Sequence, residues 1–455
     1  MKVAVLGGAG TRVPLLVLGL LRFHQELRTE EVALWDVNNE RGPAIERLCR
    51  ALTRRYQIPL RIHSARTVEE ALEGAEFVIC SIRVGGAASR IADETIALSH
   101  GVLGQETVGP GGWAMALRTI PPVLDYVRTM ERVAPHAWLL NFTNPVGIVL
   151  QAVVGCGGQR VIGVCDTPRE MFELVAKELQ VESREAFFDY FGLNHLGWVR
   201  RVIVNGRDVL APAFAQPERL ARFYHVPLFE PAFLQELGLL PSEYVYFYYR
   251  NREAVEKIRA QATTRGRMVA EQEKELFAQL GSNGDDPEKI LPAYENYLVR
   301  RDATYFRLET GAAVREQDVE KARRELYERA AGYERIAVDV MRAIRTNQPM
   351  VMPVDVANQG SIEGLAAEDA VEVPCVIDGN GAHPLAVGTL PAAVRSLFLQ
   401  VKEYERLTVQ AAVEGSAARA AEALAANPLV ADRSLAEKMT AEYRAAHRPW
   451  LDYLR

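Results

Sequence analysis

An α/β architecture, with a parallel doubly wound sheet first and a mixed α+β part after it, is predicted by three observations. The chain opens on a short apolar run, residues 2–6. Four residues follow of which three are glycine, Gly7, Gly8 and Gly10. From there to about residue 168 short apolar strands alternate with helical stretches. After the glycine turn, residues 13–21 have helical character, and a second strand, 32–35, ends in Asp36. A helix over 45–56, a strand at 60–63, a helix at 68–72 and a strand at 77–82 come next. The helical stretch 114–133, the strand 137–140, the helix 146–154 and the strand 160–164 complete the alternation, the last ending at Cys165. Beyond about residue 170 the pattern becomes mixed, with strands at 198–204 and 371–377 among long helices over 253–280 and 318–346. The alanine-rich stretch 395–424 reads as helical, its small residues suiting close packing or a subunit interface. At 455 residues the chain exceeds one hydrophobic core, and it divides into a Rossmann-like dinucleotide-binding part, 1–168, and a mixed α+β part, 169–455.

Composition excludes several function classes. A net charge of -6 argues against a nucleic-acid partner, which requires a basic face. The first residues read as a buried strand rather than a signal peptide, and no apolar run approaches the roughly 20 residues that span a bilayer. Five cysteines, an odd number widely spaced, suit reduced thiols. The expectation is a cytoplasmic enzyme with a small-molecule substrate and neither nucleic acid nor membrane as partner.

Three groups of residues carry candidate chemistry. Glycines between a strand and a helix leave backbone amides open to a phosphate, so Gly7, Gly8, Gly10, Thr11 and Arg12 are the candidate dinucleotide contacts, and Asp36 at the end of the next strand is the candidate ribose partner. The plain alternative is a structural turn beside an ordinary helix cap. Cys165 at a strand end and His195 in a loop flanked by glycines form a thiol and imidazole pair able to ligate a divalent metal with positions left open, although each residue also suits ordinary packing. Tyr244 begins Tyr-Val-Tyr-Phe-Tyr-Tyr, an unusual density of phenols, one of which is able to act as a base if a cation lowers its pKa.

Further segments run in a recognisable order: Arg83-Val-Gly-Gly86 with Arg90, Gly104-Gln-Glu-Thr-Val-Gly109, Asn141-Phe-Thr-Asn-Pro145, Cys165-Asp-Thr-Pro168, Gly192-Leu-Asn-His-Leu196, Tyr244, Asn358-Gln-Gly-Ser-Ile-Glu363 and Glu372-Val-Pro-Cys375. Together they resemble the family 4 glycoside hydrolases, most closely the 6-phospho-β-glucosidase branch. The resemblance implies a fold like that of lactate and malate dehydrogenases, NAD+ and Mn2+ (or another divalent metal) as cofactors, a (phospho)glycoside substrate, and a homodimer or homotetramer. It also implies a route outside the usual two-carboxylate scheme: oxidation of the sugar at C3 by NAD+, loss of the C2 proton to a tyrosine, elimination of the aglycone from C1, then addition of water and return of the hydride. By the same resemblance Cys165 and His195 are the metal ligands, Tyr244 is the base, and Asn144, Arg90 and Glu106 lie against substrate. Asp166 stands where the α-glucoside branch has its acid and the β branch commonly has asparagine. Arg301-Asp-Ala replaces the Arg-Gly-Gly common in the phospho-glucosidases, so Arg301, with Arg307, is the candidate phosphate contact beside an added charge at Asp302. The alternatives are a family member acting on α-linked, unphosphorylated or uronic glycosides, and an NAD-dependent hydroxy-acid dehydrogenase.

Overall fold

The computed structural model describes residues 1–261, 263–326 and 332–455. Its strands are β1 (Lys2–Leu6), β2 (Glu31–Trp35), β3 (Arg61–Ser64), β4 (Phe77–Cys80), β5 (Trp138–Asn141), β6 (Val161–Gly163), β7 (Phe187–Leu193), β8 (Leu196–Val204), β9 (Arg207–Asp208), β10 (Leu240–Pro241), β11 (Met350–Ala357), β12 (Ala370–Asp378) and β13 (Gly381–Pro384). Val3, Val5, Val78 and Ile79 are fully buried, as befits parallel strands covered on both faces. The first six strands pair in parallel in the order β6-β5-β4-β1-β2-β3, the dinucleotide-binding order, with its switch point between β1 and β4. The Rossmann-like fold expected from sequence is present.

The sheet does not stop at β6. It continues through β11, β12, β7, β8 and β10, all paired antiparallel, so that one sheet crosses the chain from edge to edge. At the join, Gly163 of β6 faces Asp355 of β11, and a Cβ on Gly163 would stand 2.7 Å from that of Asp355. Only glycine allows the approach. Asp355 in turn faces Glu372, and Glu372 faces Gly192 of β7.

Helices cover both faces. Helix Val13–Arg22, buried along nearly its whole length, packs against Gly42–Tyr56 and Tyr333–Thr346. Helix Pro110–Val133 packs against Val146–Gly155 and Ala392–Glu414, which also pack on each other. Three expected helices are divided. The stretch 253–280 breaks into Asn251–Arg259 and Arg265–Ser282, because Thr264 caps the second by accepting from the Arg267 amide. The stretch 318–346 gives Glu316–Glu325 and Tyr333–Thr346; the part over 327–331 lies outside the described residues. The alanine-rich stretch is interrupted at Gly415, with a left-handed φ of 67°, and Ser416 caps helix Ala417–Ala426. Its small residues pack within the chain: Ala420 and Ala423 are fully buried, and the indole of Trp113 donates to the carbonyl of Ala420 at 3.0 Å.

One buried charge cluster locks helix Gly86–Ser99 to its neighbours. The Arg118 guanidinium grips both oxygens of Asp93 (2.9 and 2.6 Å), and Nε2 of His447 lies 2.7 Å from Asp93 Oδ1. Removing one member of such a pair strands the other charge without water. Asp93→Ala is therefore expected to lower unfolding free energy by about 3–5 kcal/mol in a denaturant titration; a loss within the noise of the titration would refute the role of the cluster.

Candidate active site

The carboxyl ends of β1 and β4 open onto a cleft of about 1190 Å³, larger than the roughly 300–1,000 Å³ of a typical small-molecule site. It has room for two ligands side by side. Gly7, at φ 94°, starts the turn after β1, and a Cβ there would meet the Ser81 carbonyl oxygen at 2.2 Å. Gly7, Gly10, Thr11 and Arg12 line the cleft where the turn meets the amino end of helix Val13–Arg22, a position whose backbone dipoles favour phosphate. Gly8 does not line it. Its Cα faces β2, and a Cβ would lie 2.8 Å from that of Leu34, so this glycine serves close packing. Asp36 stands at the cleft edge, its carboxylate accepting the Ala9 amide at 3.0 Å and the Asn38 amide at 2.8 Å.

Cys165 lies two residues past β6, and His195 occupies the two-residue turn between β7 and β8 at φ 65°. Sγ of Cys165 and Nε2 of His195 are 3.6 Å apart. Ligand bonds of about 2.3 Å to sulfur and about 2.1 Å to nitrogen, meeting near the tetrahedral angle, put two such atoms about 3.6 Å apart. The hydroxyl of Thr107 donates to Gln105 Oε1 (3.1 Å), so its oxygen accepts the Nδ1 proton of His195 (3.0 Å). The lone pair of Nε2 is then turned toward Cys165. Burial holds the imidazole down to about 4, keeping it neutral, and burial with the nearby Glu372 and Asp166 pushes the Cys165 thiol well up. A thiolate here needs a cation beside it. The donor set fits a divalent ion with positions open to a substrate.

Tyr244 stacks on His195, ring centres 3.9 Å apart and planes 6° from parallel. Its hydroxyl receives that of Tyr305 at 3.1 Å, and Tyr305 also lies 2.6 Å from Glu243 Oε1. Burial raises Glu243 to about 7, and burial with Glu243 pushes the Tyr244 phenol well up.

The remaining wall is cationic. Glu106 sits between Arg83 (2.5 Å) and Arg90 (2.9 Å), and Arg90 is fixed on its other side by Glu94 at 2.9 Å. Burial alone would raise the Glu106 carboxyl, but Arg83, Arg90 and Arg301 outweigh it and hold it down to about 2. Arg301 donates to Tyr297 at 3.2 Å and lines the cleft beside Asp302. Arg307 does not reach it: its guanidinium pairs with Asp318 at 2.9 Å, which corrects the expectation that it meets a phosphate. In its place stands Arg265, whose charge burial and Arg301 destabilise, lowering it to about 10. Asn144 lines the cleft with a buried Oδ1 that has no hydrogen-bond partner among the described residues, and Asp166 lines it at the start of helix Thr167–Leu179. Arg265, Glu243 and Tyr305 escaped sequence reasoning. The only signals were Thr264 as a helix cap inside an apparently continuous helix and a glutamate directly before Tyr244.

The fold and site define a dinucleotide-fold enzyme with a thiol and an imidazole 3.6 Å apart in its cleft. Residues 2–181 match the family 4 glycosyl hydrolase profile and residues 190–430 that of the family 4 glycosyl hydrolase C-terminal domain, so the chain belongs to family 4 of the glycosyl hydrolases. It is 31% identical over 469 residues to the 6-phospho-beta-glucosidase of Escherichia coli (strain K12), covering 99% of this chain and 96% of the relative. Among solved structures it is similar to the 6-phospho-beta glucosidase of Thermotoga maritima with NAD and glucose-6-phosphate (TM-score 0.81, 28% identity, 100% of both chains). A 6-phospho-alpha-glucosidase from gut microorganisms, with NAD and glucose-6-phosphate, is similar at TM-score 0.79 and 26% identity over 99% of this chain and 98% of that one. A lactate dehydrogenase from a deep-sea metagenome (TM-score 0.51, 15% identity, 90% of this chain and 98% of that one) shares the fold alone.

The acid constant of Glu106 lies below its unfolded value, so its stabilising contribution is complete above about pH 4.5 and fades as pH falls toward about 2. The stability difference between the native chain and Glu106→Gln, read from denaturant titrations, is expected to be constant near neutrality and to shrink through that window; a difference that grows on acidification would contradict the charge balance described above.

Proposed function

We propose that this protein is a 6-phospho-β-glucosidase that works with NAD+ and a divalent metal, Mn2+ by the precedent of a Thermotoga maritima structure holding manganese, NAD+ and glucose-6-phosphate. The observation that carries the reading is the meeting, in one cleft, of the glycine turn, the Cys165 and His195 pair, and the Tyr244 phenol. When bound, NAD+ supplies a hydride acceptor and donor at the sugar's C3, and the metal supplies a Lewis acid for its oxygens.

The chain's own groups do the rest. Gly7, Gly10, Thr11 and Arg12 receive the dinucleotide phosphates, and Asp36 receives a ribose. Cys165 and His195 hold the ion. Tyr244 removes the C2 proton once C3 is oxidised, and Tyr305 steadies its hydroxyl. The unpartnered Asn144 Oδ1 accepts a sugar hydroxyl. Arg90, braced by Glu94 and Glu106, faces the substrate, and Arg301 with Arg265 receives the 6-phosphate. In cleavage of an α-linked glycoside, Asp166 would be the acid that protonates the leaving aglycone. The cofactor returns to its starting state, which is why a hydrolase carries a dinucleotide fold. A second reading, cleavage of α-linked phosphoglycosides, is favoured by Asp166 and by similarity to the 6-phospho-alpha-glucosidase. The division near residue 168, a homodimeric or homotetrameric assembly, and a cytoplasmic setting without nucleic acid or membrane partners belong to the same proposal; no helix among the described residues is long and apolar enough to cross a membrane.

The test is release of p-nitrophenol from its β- and α-glucosides with and without a 6-phosphate, NAD+, Mn2+ and reductant being omitted in turn. Turnover of the phosphorylated β compound alone, lost without NAD+ or Mn2+, is expected. Cofactor-independent turnover would overturn the reading, and a preference for the α compound would select the second one. Cys165→Ser is expected to lose metal-dependent turnover while binding NAD+ with unchanged affinity. Tyr244→Phe is expected to abolish exchange of the C2 hydrogen with solvent, read by NMR in D2O; undiminished exchange would remove Tyr244 as the base.

A further inference from the structure

Residues 447–455 form a strap tied to the rest of the chain at both ends. His447 is fully buried, with Nε2 2.7 Å from Asp93. Tyr453 donates its hydroxyl to the Leu117 carbonyl at 2.7 Å. The Arg455 amide donates to Gly415 O (2.7 Å), the Ala417 amide donates to Arg455 O (2.8 Å), and Arg444 donates to Leu454 O (2.5 Å). Leu451 and Leu454 are fully buried beneath it. Between these ties stands Trp450, with a ring atom 3.3 Å from the Cβ position of Gly85 and 42% of its surface left open, lining the cleft. A large indole held in place yet exposed at a cleft wall is a surface awaiting an apolar ring.

Its neighbours indicate which ring. Gly85 lies in the turn after β4, and Arg118 reaches the Val84 carbonyl of that turn at 3.5 Å. Leu117, which holds Tyr453, precedes Arg118 on the helix whose Arg118, Pro121, Pro122 and Tyr126 line the cleft on successive turns of one face. At the end of that row Tyr126 packs edge-on against Trp35, ring centres 5.4 Å apart, and Trp35 is followed directly by Asp36. Val37, the next residue, lines the cleft with 79% of its surface exposed. The strap thus belongs to the wall that begins at Asp36.

We propose that Trp450 of the C-terminal strap contacts the adenosine half of the nicotinamide dinucleotide, forming with Val37 and Tyr126 the apolar surface that the glycine turn and Asp36 lack. The far end of the chain completes the binding site begun by its first residues. This rests on the dinucleotide reading above.

The experiment is calorimetric titration of the full chain and of Trp450→Ala and Trp450→Phe with NAD+ and, separately, with ADP-ribose. Loss of aromatic contact with a base weakens binding by about 5- to 150-fold. Trp450→Ala is expected to weaken NAD+ and ADP-ribose by a similar factor in that range, and Trp450→Phe to restore most of it. Equal NAD+ affinity in the native chain and Trp450→Ala overturns the inference while leaving the dinucleotide reading intact. A loss for NAD+ without one for ADP-ribose assigns the contact to the nicotinamide half and also overturns it. Failure of the native chain to bind NAD+ at all overturns both. A changed KM for different aglycones with unaltered NAD+ affinity makes Trp450 a leaving-group contact and refutes the proposal.

Discussion

One row of residues across four strands decides where the chemistry sits. Gly163, Asp355, Glu372 and Gly192 face one another in register, from the last parallel strand to the third strand of the antiparallel extension. The glycines at the two ends let the strands close on the carboxyl residues between them. Cys165 follows the first glycine by two residues, and His195 follows the second by three. The 3.6 Å between thiol and imidazole is therefore inherited from sheet register, a rigid device, rather than from the packing of loops.

The same row sets the electrostatics. Burial raises Glu372 to about 7 against the hydrogen bonds that lower it, and burial together with the Glu372 charge raises Asp355 well above its usual range. Tyr190 and Asn194 donate to Glu372 at 2.5 and 3.3 Å, and the Asn194 bond steadies the turn that carries His195. With carboxyls behind it, Cys165 resists ionisation until a cation is present, so metal binding and thiol deprotonation are linked. Farther along the cleft the sign reverses, where Arg83, Arg90, Arg265 and Arg301 gather around Glu106. A substrate with a cation-seeking oxygen at one end and an anion at the other finds both complements in place.

The strand and turn order of the parallel half was legible because its signals are local: buried strands, a glycine turn, an acidic residue ending the second strand. The exception is Gly8, whose role depends on how closely β2 approaches, which spacing does not report. Cys165, His195 and Tyr244 were found as types of residue, yet nothing in their spacing brings them together; β11 and β12, some 150 residues later in the chain, do that. Arg307 misled for a related reason. It lies six residues from Arg301, but the left-handed turn at Phe306 sends it to Asp318 instead of the cleft. Helix boundaries failed where one capping hydroxyl, Thr264 or Ser416, outweighed a run of good helix formers.

A sheet hydrogen-bonded from β3 to β10 has no hinge between its halves. Enzymes that close two lobes over a substrate need a few residues free to absorb large changes in backbone angle, and the Gly163 to Asp355 join, packed to contact, is not such a place. The helices Arg265–Ser282 and Pro287–Ala303, which carry Arg265 and Arg301 to the cleft, pack instead on the helices Gly42–Tyr56 and Gly86–Ser99. Cys165 and His195 are thus set by the sheet, and the arginines Arg265 and Arg301 by a separate layer of helices.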